Sequence, residues 1–218
     1  KGPAEIYLNP KPRNFGLGIY KFHSTQNNAL PRDDDLYRII AKGIPGTAMP
    51  AWEDILDENI IDSIIALIKS FSDRYEREIP DYQIKVGLEP SFDKYSIMHG
   101  KKLYRELRCV RCHGENGRRA GPLGENLKDS WGRPQWVFDL QIPWLYKGGY
   151  SGNEIYTTLV AGIDGTSMNP YDFLTNSERW HLVHFLKSFL YKKEKSLSIQ
   201  NKKLLSYKIK EPISLDFD

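Results

Sequence analysis

The chain has 218 residues and a formal net charge of +3, with positive and negative side chains interspersed along its length. This length suits two domains of about a hundred residues each. The mixed charge excludes the extended basic surface on which nucleic-acid binding depends. No apolar run is long enough to predict a membrane span.

The first third of the chain predicts two helices with a loop between them. A helix start is indicated at Asp33, where an acidic run precedes four large apolar side chains: Leu36, Tyr37, Ile39 and Ile40. The recurring isoleucines of residues 57–71 predict a second helix with a wide apolar face. The loop between these helices contains Met49 and Trp52 among glycines and prolines.

A polar stretch over 73–90 leads to a further helical pattern and then to Cys109-Val110-Arg111-Cys112-His113. Cys-x-x-Cys-His is the attachment sequence of a c-type haem, in which both thiols form thioethers to the porphyrin and the next imidazole lies under the iron. Cys109 and Cys112 are the only cysteines of the chain. A redox dithiol does not require the histidine, and a structural zinc site needs a second Cys/His pair that the sequence lacks.

Met168 is the candidate for the sixth iron ligand. It lies in a segment rich in glycine, aspartate, asparagine and proline, between two helical patterns. Ligation by methionine and histidine is the cytochrome c arrangement, and the thioether raises the reduction potential. The alternative is a methionine that only fills a gap under the loop.

Residues 92–190 resemble a class I cytochrome c domain. The resemblance rests on the attachment motif, on the opening helix that ends at it, and on the apolar stripe of the closing helix over 177–190. It implies an all-α fold with long loops that wrap around the haem. It also implies that the opening helix crosses the closing helix closely at Gly100 and Tyr104.

An internal repeat relates the two parts of the chain. Residues 41–52 align with residues 160–171 at an offset of 119, which pairs Met49 with Met168. Further on, residues 67–71 align with residues 185–189 at an offset of 118. We therefore expect two class I cytochrome c domains in tandem, the first over residues 1–75 and the second over residues 92–191. A linker over 76–91 joins them, and a tail covers 192–218.

The attachment motif of the first domain is not part of the sequence. The offset places it just upstream of Lys1, and Lys1-Gly2-Pro3-Ala4 resembles the turn that follows such a motif. We expect the motif upstream and a second haem in the first domain, with Met49 as an iron ligand. A first domain that has lost its haem is the alternative.

The resemblance also implies the remaining haem contacts. Gly121-Pro122 resembles the family's Gly-Pro turn, so the Pro122 carbonyl is expected to accept the Nδ1 proton of His113. Trp52 and Tyr171 are the candidates for aromatic walls of the haem pockets. The candidates for neutralising the haem propionates are Arg13, Lys21 and Arg133. Plain packing is the alternative for the aromatic residues. In domains resembling the first, an arginine often occupies the place of His23.

These features predict a dihaem cytochrome c that passes single electrons between a respiratory oxidoreductase and a downstream redox protein. An iron ligated on both faces has no open position for a substrate, so the interpretation as an enzyme is the weaker one. The alternatives are a peroxidase-like or thiosulfate-oxidising dihaem enzyme, and a subunit in which only the second haem works. Covalent attachment of haem implies a periplasmic location or an equivalent lumen.

Overall fold

The computed structural model describes residues 2–8 and 10–190, and its regular structure is helical. The helices are α1 (Asp33–Lys42), α2 (Glu58–Ser70), α3 (Arg74–Arg77), α4 (Lys94–Glu106), α5 (Val110–His113), α6 (Gly152–Ala161) and α7 (176–190). Short 3-10 helices cover Glu5–Tyr7, Phe15–Leu17 and Pro143–Leu145.

Within the described residues there is no strand, and the one isolated bridge pairs Lys128 with Pro134. The predicted all-α fold is therefore confirmed. In the same part of the chain, no helix combines the length and the apolar character that crossing a bilayer requires. The predicted tail over 192–218 lies outside the described residues.

Capping side chains explain where α1 and α2 begin. The Asp35 carboxylate in the first turn of α1 accepts a hydrogen bond from the Arg32 backbone N–H at 3.2 Å, and Gly43, with φ of 68°, ends this helix. At the start of α2, the Asp57 carboxylate accepts from the Ile60 N–H at 3.0 Å. Both helices therefore begin where the acidic residues of the sequence predict them.

The first part of the chain forms a small core between α1 and α2. The buried face of α1 packs against the isoleucine face of α2. Met49 and Trp52, from the loop between these helices, pack against the edge of this core. Its buried members are Tyr20, Leu36, Ile40, Ala41, Ile61 and Ile65.

A larger core lies between α4, α6 and α7. At the crossing of α4 and α7, Gly100 brings the two backbones together, since a Cβ on Gly100 would collide with the His181 carbonyl. Tyr104, one turn later, is 1% exposed and packs edge-on against Phe185, with ring centroids 5.2 Å apart. The close crossing at Gly100 and Tyr104 is therefore confirmed.

The segment between α3 and α4 is irregular and packs along both parts of the molecule. The Ile84 N–H donates to the Ser24 carbonyl at 2.6 Å, while the Ile84 side chain is buried in the larger core. The Trp180 indole N–H donates to the Gly87 carbonyl at 2.9 Å. These contacts fix the course of a segment that has no regular structure of its own.

Candidate haem-binding site

The attachment motif forms a single helical turn directly after α4. Arg108, with φ of 61°, adopts the left-handed conformation and redirects the chain between α4 and α5. The His113 N–H then donates to the Cys109 carbonyl at 2.9 Å, which closes the turn. This local geometry directs the two thiols and the imidazole of the motif into the same cleft.

The cleft encloses about 1270 Å³ of space between atoms, part of it open to solvent. It brings together six residues that the sequence singles out: Lys21, Cys109, Cys112, His113, Met168 and Tyr171. Its walls are largely aliphatic and aromatic, and their main members are Phe22, Leu127, Phe138, Leu140, Tyr146, Ile155, Leu159, Leu182 and Leu186. A flat, apolar macrocycle with polar groups at one edge suits such a cleft.

The loop over 162–171, here called the Met168 loop, is held together by its own hydrogen bonds. The Ile163 N–H donates to the Met168 carbonyl at 3.0 Å, and the Met168 N–H donates to the Thr166 hydroxyl oxygen at 3.1 Å. Gly162 and Gly165 adopt φ of 70° and 69°, a conformation that disfavours other residues. The loop thus presents Met168 to the cleft from a fixed backbone.

His113 is half-buried, and desolvation lowers its pKa to about 4. The imidazole is therefore neutral at physiological pH, which is the form that binds metals. Its Nδ1 atom is buried and has no hydrogen-bond partner among residues 2–8 and 10–190. The expected hydrogen bond from this atom to the Pro122 carbonyl is not formed, and Pro122 itself is exposed.

The two cysteines are free thiols in different surroundings. Burial raises the pKa of Cys109 to about 11, while a hydrogen bond with the Tyr171 hydroxyl acts in the opposite direction. Burial also raises the pKa of Cys112, which is the less enclosed thiol. Across residues 2–8 and 10–190, no three His, Cys, Asp or Glu side chains group as a metal site would require, so the motif is not half of a zinc centre there.

The residues of the cleft fit a covalently attached haem. An apolar cleft, two adjacent thiols at its wall and a neutral imidazole on the same turn are the groups that such a cofactor needs. The buried Nδ1 atom of His113 also has no hydrogen-bond partner within the described ranges.

A second, more polar cavity adjoins the cleft and contains the predicted propionate-binding side chains. Lys21 lines both spaces, whereas Arg13 and Arg133 line only the second. The Arg13 guanidinium lies 4.8 Å from the Trp131 ring centroid, and its buried Nη2 atom has no hydrogen-bond partner in the part of the chain that the structure describes. Desolvation lowers the pKa of Arg13 to about 10. Arg133 forms an ion pair with Glu5 at 3.4 Å.

Met49 and Trp52 lie away from the cleft, at the edge of the smaller core. The loop over 43–52, here called the Met49 loop, repeats the hydrogen bonds of the Met168 loop. The Ile44 N–H donates to the Met49 carbonyl at 3.0 Å, and the Met49 N–H donates to the Thr47 hydroxyl oxygen at 3.1 Å. The sequence repeat is therefore also a repeat of local structure.

Other residues of the cleft carry no signal in the sequence. Phe138 packs edge-on against the His113 ring, with centroids 6.2 Å apart, and against Tyr146, with centroids 5.2 Å apart. Phe138 and Tyr146 lie in the irregular stretch between α5 and α6. No periodic spacing there predicts which aromatic side chain faces the cleft. His23, at the place where similar domains often carry arginine, pairs with Asp164 instead.

Comparisons with known proteins agree with this site. The cytochrome c family model matches residues 97–189. Among solved structures, a chain of the "Kuenenia stuttgartiensis reducing HAO-like protein complex Kustc0457/Kustc0458" is 38% identical, with a TM-score of 0.83. That similarity covers 87% of this chain and 86% of the other. No curated protein matches the sequence. The chain belongs to the cytochrome c family, whose members bind haem c covalently for electron transfer.

Proposed function

We propose that this chain is an electron-transfer dihaem cytochrome c and not an enzyme. The observation that carries the proposal is the convergence of Cys109, Cys112, His113 and Met168 on one apolar cleft. The two thiols would form the thioether bonds. His113 and Met168 would ligate the iron from opposite faces.

A bound haem supplies an iron that cycles between the ferric and ferrous states. The residues of this chain bind and orient it, and they exclude water. His113 reaches the cleft as a neutral ligand because burial disfavours its protonation. Met168, held by the hydrogen bonds of its loop, would be the second iron ligand, and with both ligands bound no position would be left for a substrate.

The basic side chains of the adjoining cavity are proposed to neutralise the haem propionates. Lys21 lines both spaces, and the buried Nη2 atom of Arg13 has no partner among the described residues. An unpaired buried guanidinium N–H is costly, and a carboxylate would satisfy it. Arg133 lines the same cavity and would exchange part of its contact with Glu5 for such a carboxylate.

A second haem is proposed for the first domain, residues 1–75, with the second domain over 92–191. The repeated hydrogen bonds of the Met49 and Met168 loops support this tandem arrangement. The linker of the proposal, residues 76–91, corresponds to the irregular segment that packs against the larger core and hydrogen-bonds Ser24 in the first part of the chain.

An open apolar face of α2 supports the same proposal. Leu67 and Phe71 are 55% and 54% exposed, whereas their counterparts in the repeat, Phe185 and Phe189, are 5% and 6% exposed. In the second domain α4 covers these positions. We propose that a corresponding helix, bearing the first attachment motif, covers Leu67 and Phe71 from upstream of Lys1, and that Met49 and Trp52 line the haem site it completes.

The redox partner is proposed to be an oxidoreductase complex, because the similar solved chain belongs to a reducing HAO-like protein complex. In such an assembly this chain would pass electrons between the enzyme and a downstream carrier. Covalent haem attachment supports a periplasmic location or an equivalent lumen.

The test is the intact mass of the natural mature protein together with its oxidised absorption spectrum. We expect the mass of two haems, and the weak absorption of methionine sulfur bound to ferric iron at the red end of the visible range. One haem per chain would contradict the dihaem arrangement. Rapid cyanide binding by the oxidised protein would contradict the electron carrier and favour an enzyme with an open iron position.

A further inference from the structure

Asp164 is a buried carboxylate in the Met168 loop, and its hydrogen bonds come from a distant part of the chain. Its Oδ2 atom lies 3.0 Å from the His23 Nε2 atom, and its Oδ1 atom accepts from the Asn27 side chain at 2.7 Å. The Asn28 backbone N–H also donates to both oxygens, at 3.1 and 3.0 Å. Residues 23–28 therefore anchor the loop that carries Met168.

The hydrogen-bond network holds His23 between two buried partners. The Thr25 hydroxyl oxygen lies 2.8 Å from the His23 Nδ1 atom and 3.0 Å from the Leu30 carbonyl oxygen. The carboxylate of Asp164 can only accept, so the His23 Nε2 atom donates to it. His23 and Asp164 thus form a hydrogen-bonded pair whose side chains are 0% and 1% exposed.

The anchor at Asp164 acts on Met168 through the short loop between them. The Ile163 N–H donates to the Met168 carbonyl, and the Thr166 hydroxyl joins the Ile163 carbonyl to the Met168 N–H. These bonds connect the backbone at Ile163 to the backbone at Met168 in a closed ring. On its other side, the Ser130 N–H donates to the Gly165 carbonyl at 3.1 Å. A shift of Asp164 would therefore shift the backbone that presents Met168.

The Met49 loop provides an internal comparison. It has the same ring of hydrogen bonds, but Pro45 occupies the place that corresponds to Asp164. A proline side chain has no hydrogen-bonding atom, so the first loop has no equivalent anchor at this position. The ring conformation of the loop thus does not require the carboxylate. The burial of Asp164 against His23 needs a separate explanation.

We propose that His23 and Asp164 are positioning residues that keep Met168 at the sixth coordination position, so that the first part of the chain controls the potential of the second haem. This inference rests on the proposed function, in which Met168 is that ligand. A buried pair that loses one partner leaves the other polar group without its hydrogen bond, which is costly. The Met168 loop would then shift from its position beside the cleft, and the Met168 thioether would bind the iron less firmly.

The experiment uses the haem-loaded protein and three readouts: the sulfur-to-ferric-iron absorption, the rate of cyanide binding and the reduction potential. We expect His23→Leu and Asp164→Asn to weaken the absorption, to accelerate cyanide binding at least tenfold and to lower the potential. Asn27→Ala removes one of the hydrogen bonds to Asp164 and leaves the contact between His23 and Asp164, so its effect is expected to be smaller. The double variant His23→Leu/Asp164→Asn is expected to shift no further than the larger single variant, because both changes break the same bond.

Two controls separate positioning from general loss of stability. His23→Gln places an amide donor within reach of Asp164 and is expected to restore most of the wild-type absorption and potential. Ser96→Ala removes buried hydrogen bonds to His181 and His184 at the far crossing of α4 and α7, and is expected to leave all three readouts unchanged.

Unchanged absorption, cyanide rate and potential in both His23→Leu and Asp164→Asn would overturn the proposal. An equal effect of Ser96→Ala would overturn it too, because the shifts would then reflect stability alone. If the wild-type protein itself lacks the absorption, the assignment of Met168 as a ligand fails first, and the positioning role fails with it.

Discussion

Gly100 and His181 lie against each other at the crossing of α4 and α7, with no room for a side chain between them. A Cβ on Gly100 would collide with the His181 carbonyl and lie 2.7 Å from the Phe185 Cβ atom. The crossing brings Tyr104 against Phe185 and directs the end of α4 toward the attachment motif. The position of the motif therefore depends on the absence of one methyl group.

Gly100→Ala is expected to destabilise the haem-loaded protein by about 1–3 kcal/mol, because the added methyl group separates two packed backbones. The free energy of unfolding, measured with guanidinium chloride, tests this. Lys101→Ala, at an exposed position of the same helix, is the control and is expected to change it by about 0.5 kcal/mol or less. An unaltered midpoint in Gly100→Ala would contradict the close crossing.

Met168→Ala is expected to keep the covalent haem but to lose the sixth ligand. The potential should fall by on the order of 0.1 V, because axial ligands tune haem potentials over about 0.8 V. Loss of the sulfur absorption and fast cyanide binding should accompany this change. Met98→Ala is the matched control, because Met98 is 60% exposed on α4. A Met168→Ala protein that keeps both its spectrum and its potential would show that another residue is the ligand.

The sequence predicts the helices and the motif because both depend on neighbouring residues. Asp33 and Asp57 mark helix starts within one residue of the observed ones, since helix caps are local interactions. The attachment motif is a local pattern as well. Met168 is predictable because its loop repeats the composition of the Met49 loop, and the two loops form the same hydrogen bonds.

The parts that the sequence does not predict depend on contacts between distant residues. The pairing of His23 with Asp164 joins residues 141 positions apart, and neither has a local pattern that indicates the other. Phe138 faces His113 from an irregular segment without periodicity. The expected bond between His113 and Pro122 is absent, because a local turn motif does not determine how that turn lies against the imidazole.

Arg133→Gln is expected to lower the potential of the second haem, because removal of a positive charge near it favours the oxidised, more positive state. The variant is expected to lose about 1 kcal/mol of the attraction between Arg133 and the haem propionates, because this pair is partly solvated. Redox titration of the haem-loaded protein measures this change. Arg118→Gln is the control, since Arg118 is exposed and bonds Gln141 away from both cavities. Equal shifts in the two variants would contradict a specific role for Arg133 near the propionates.

Phe71 and Phe189 occupy corresponding positions in the repeat, so replacing each by alanine tests whether α2 is covered in the natural mature protein. Phe189 packs against Tyr104 with ring centroids 6.3 Å apart, and Phe189→Ala is expected to cost about 3–5 kcal/mol. If a haem-bearing helix covers Phe71, Phe71→Ala should cost a similar amount in that protein.

Phe71 already stacks on Phe15, with centroids 6.4 Å apart, but this contact leaves half of its side chain in water. With the face uncovered, Phe71→Ala would therefore cost only about 1 kcal/mol. Guanidinium unfolding, followed by the haem absorption and by circular dichroism, distinguishes the two costs. The small cost would contradict the covering helix, because a ring that is already half solvated has little apolar contact to lose.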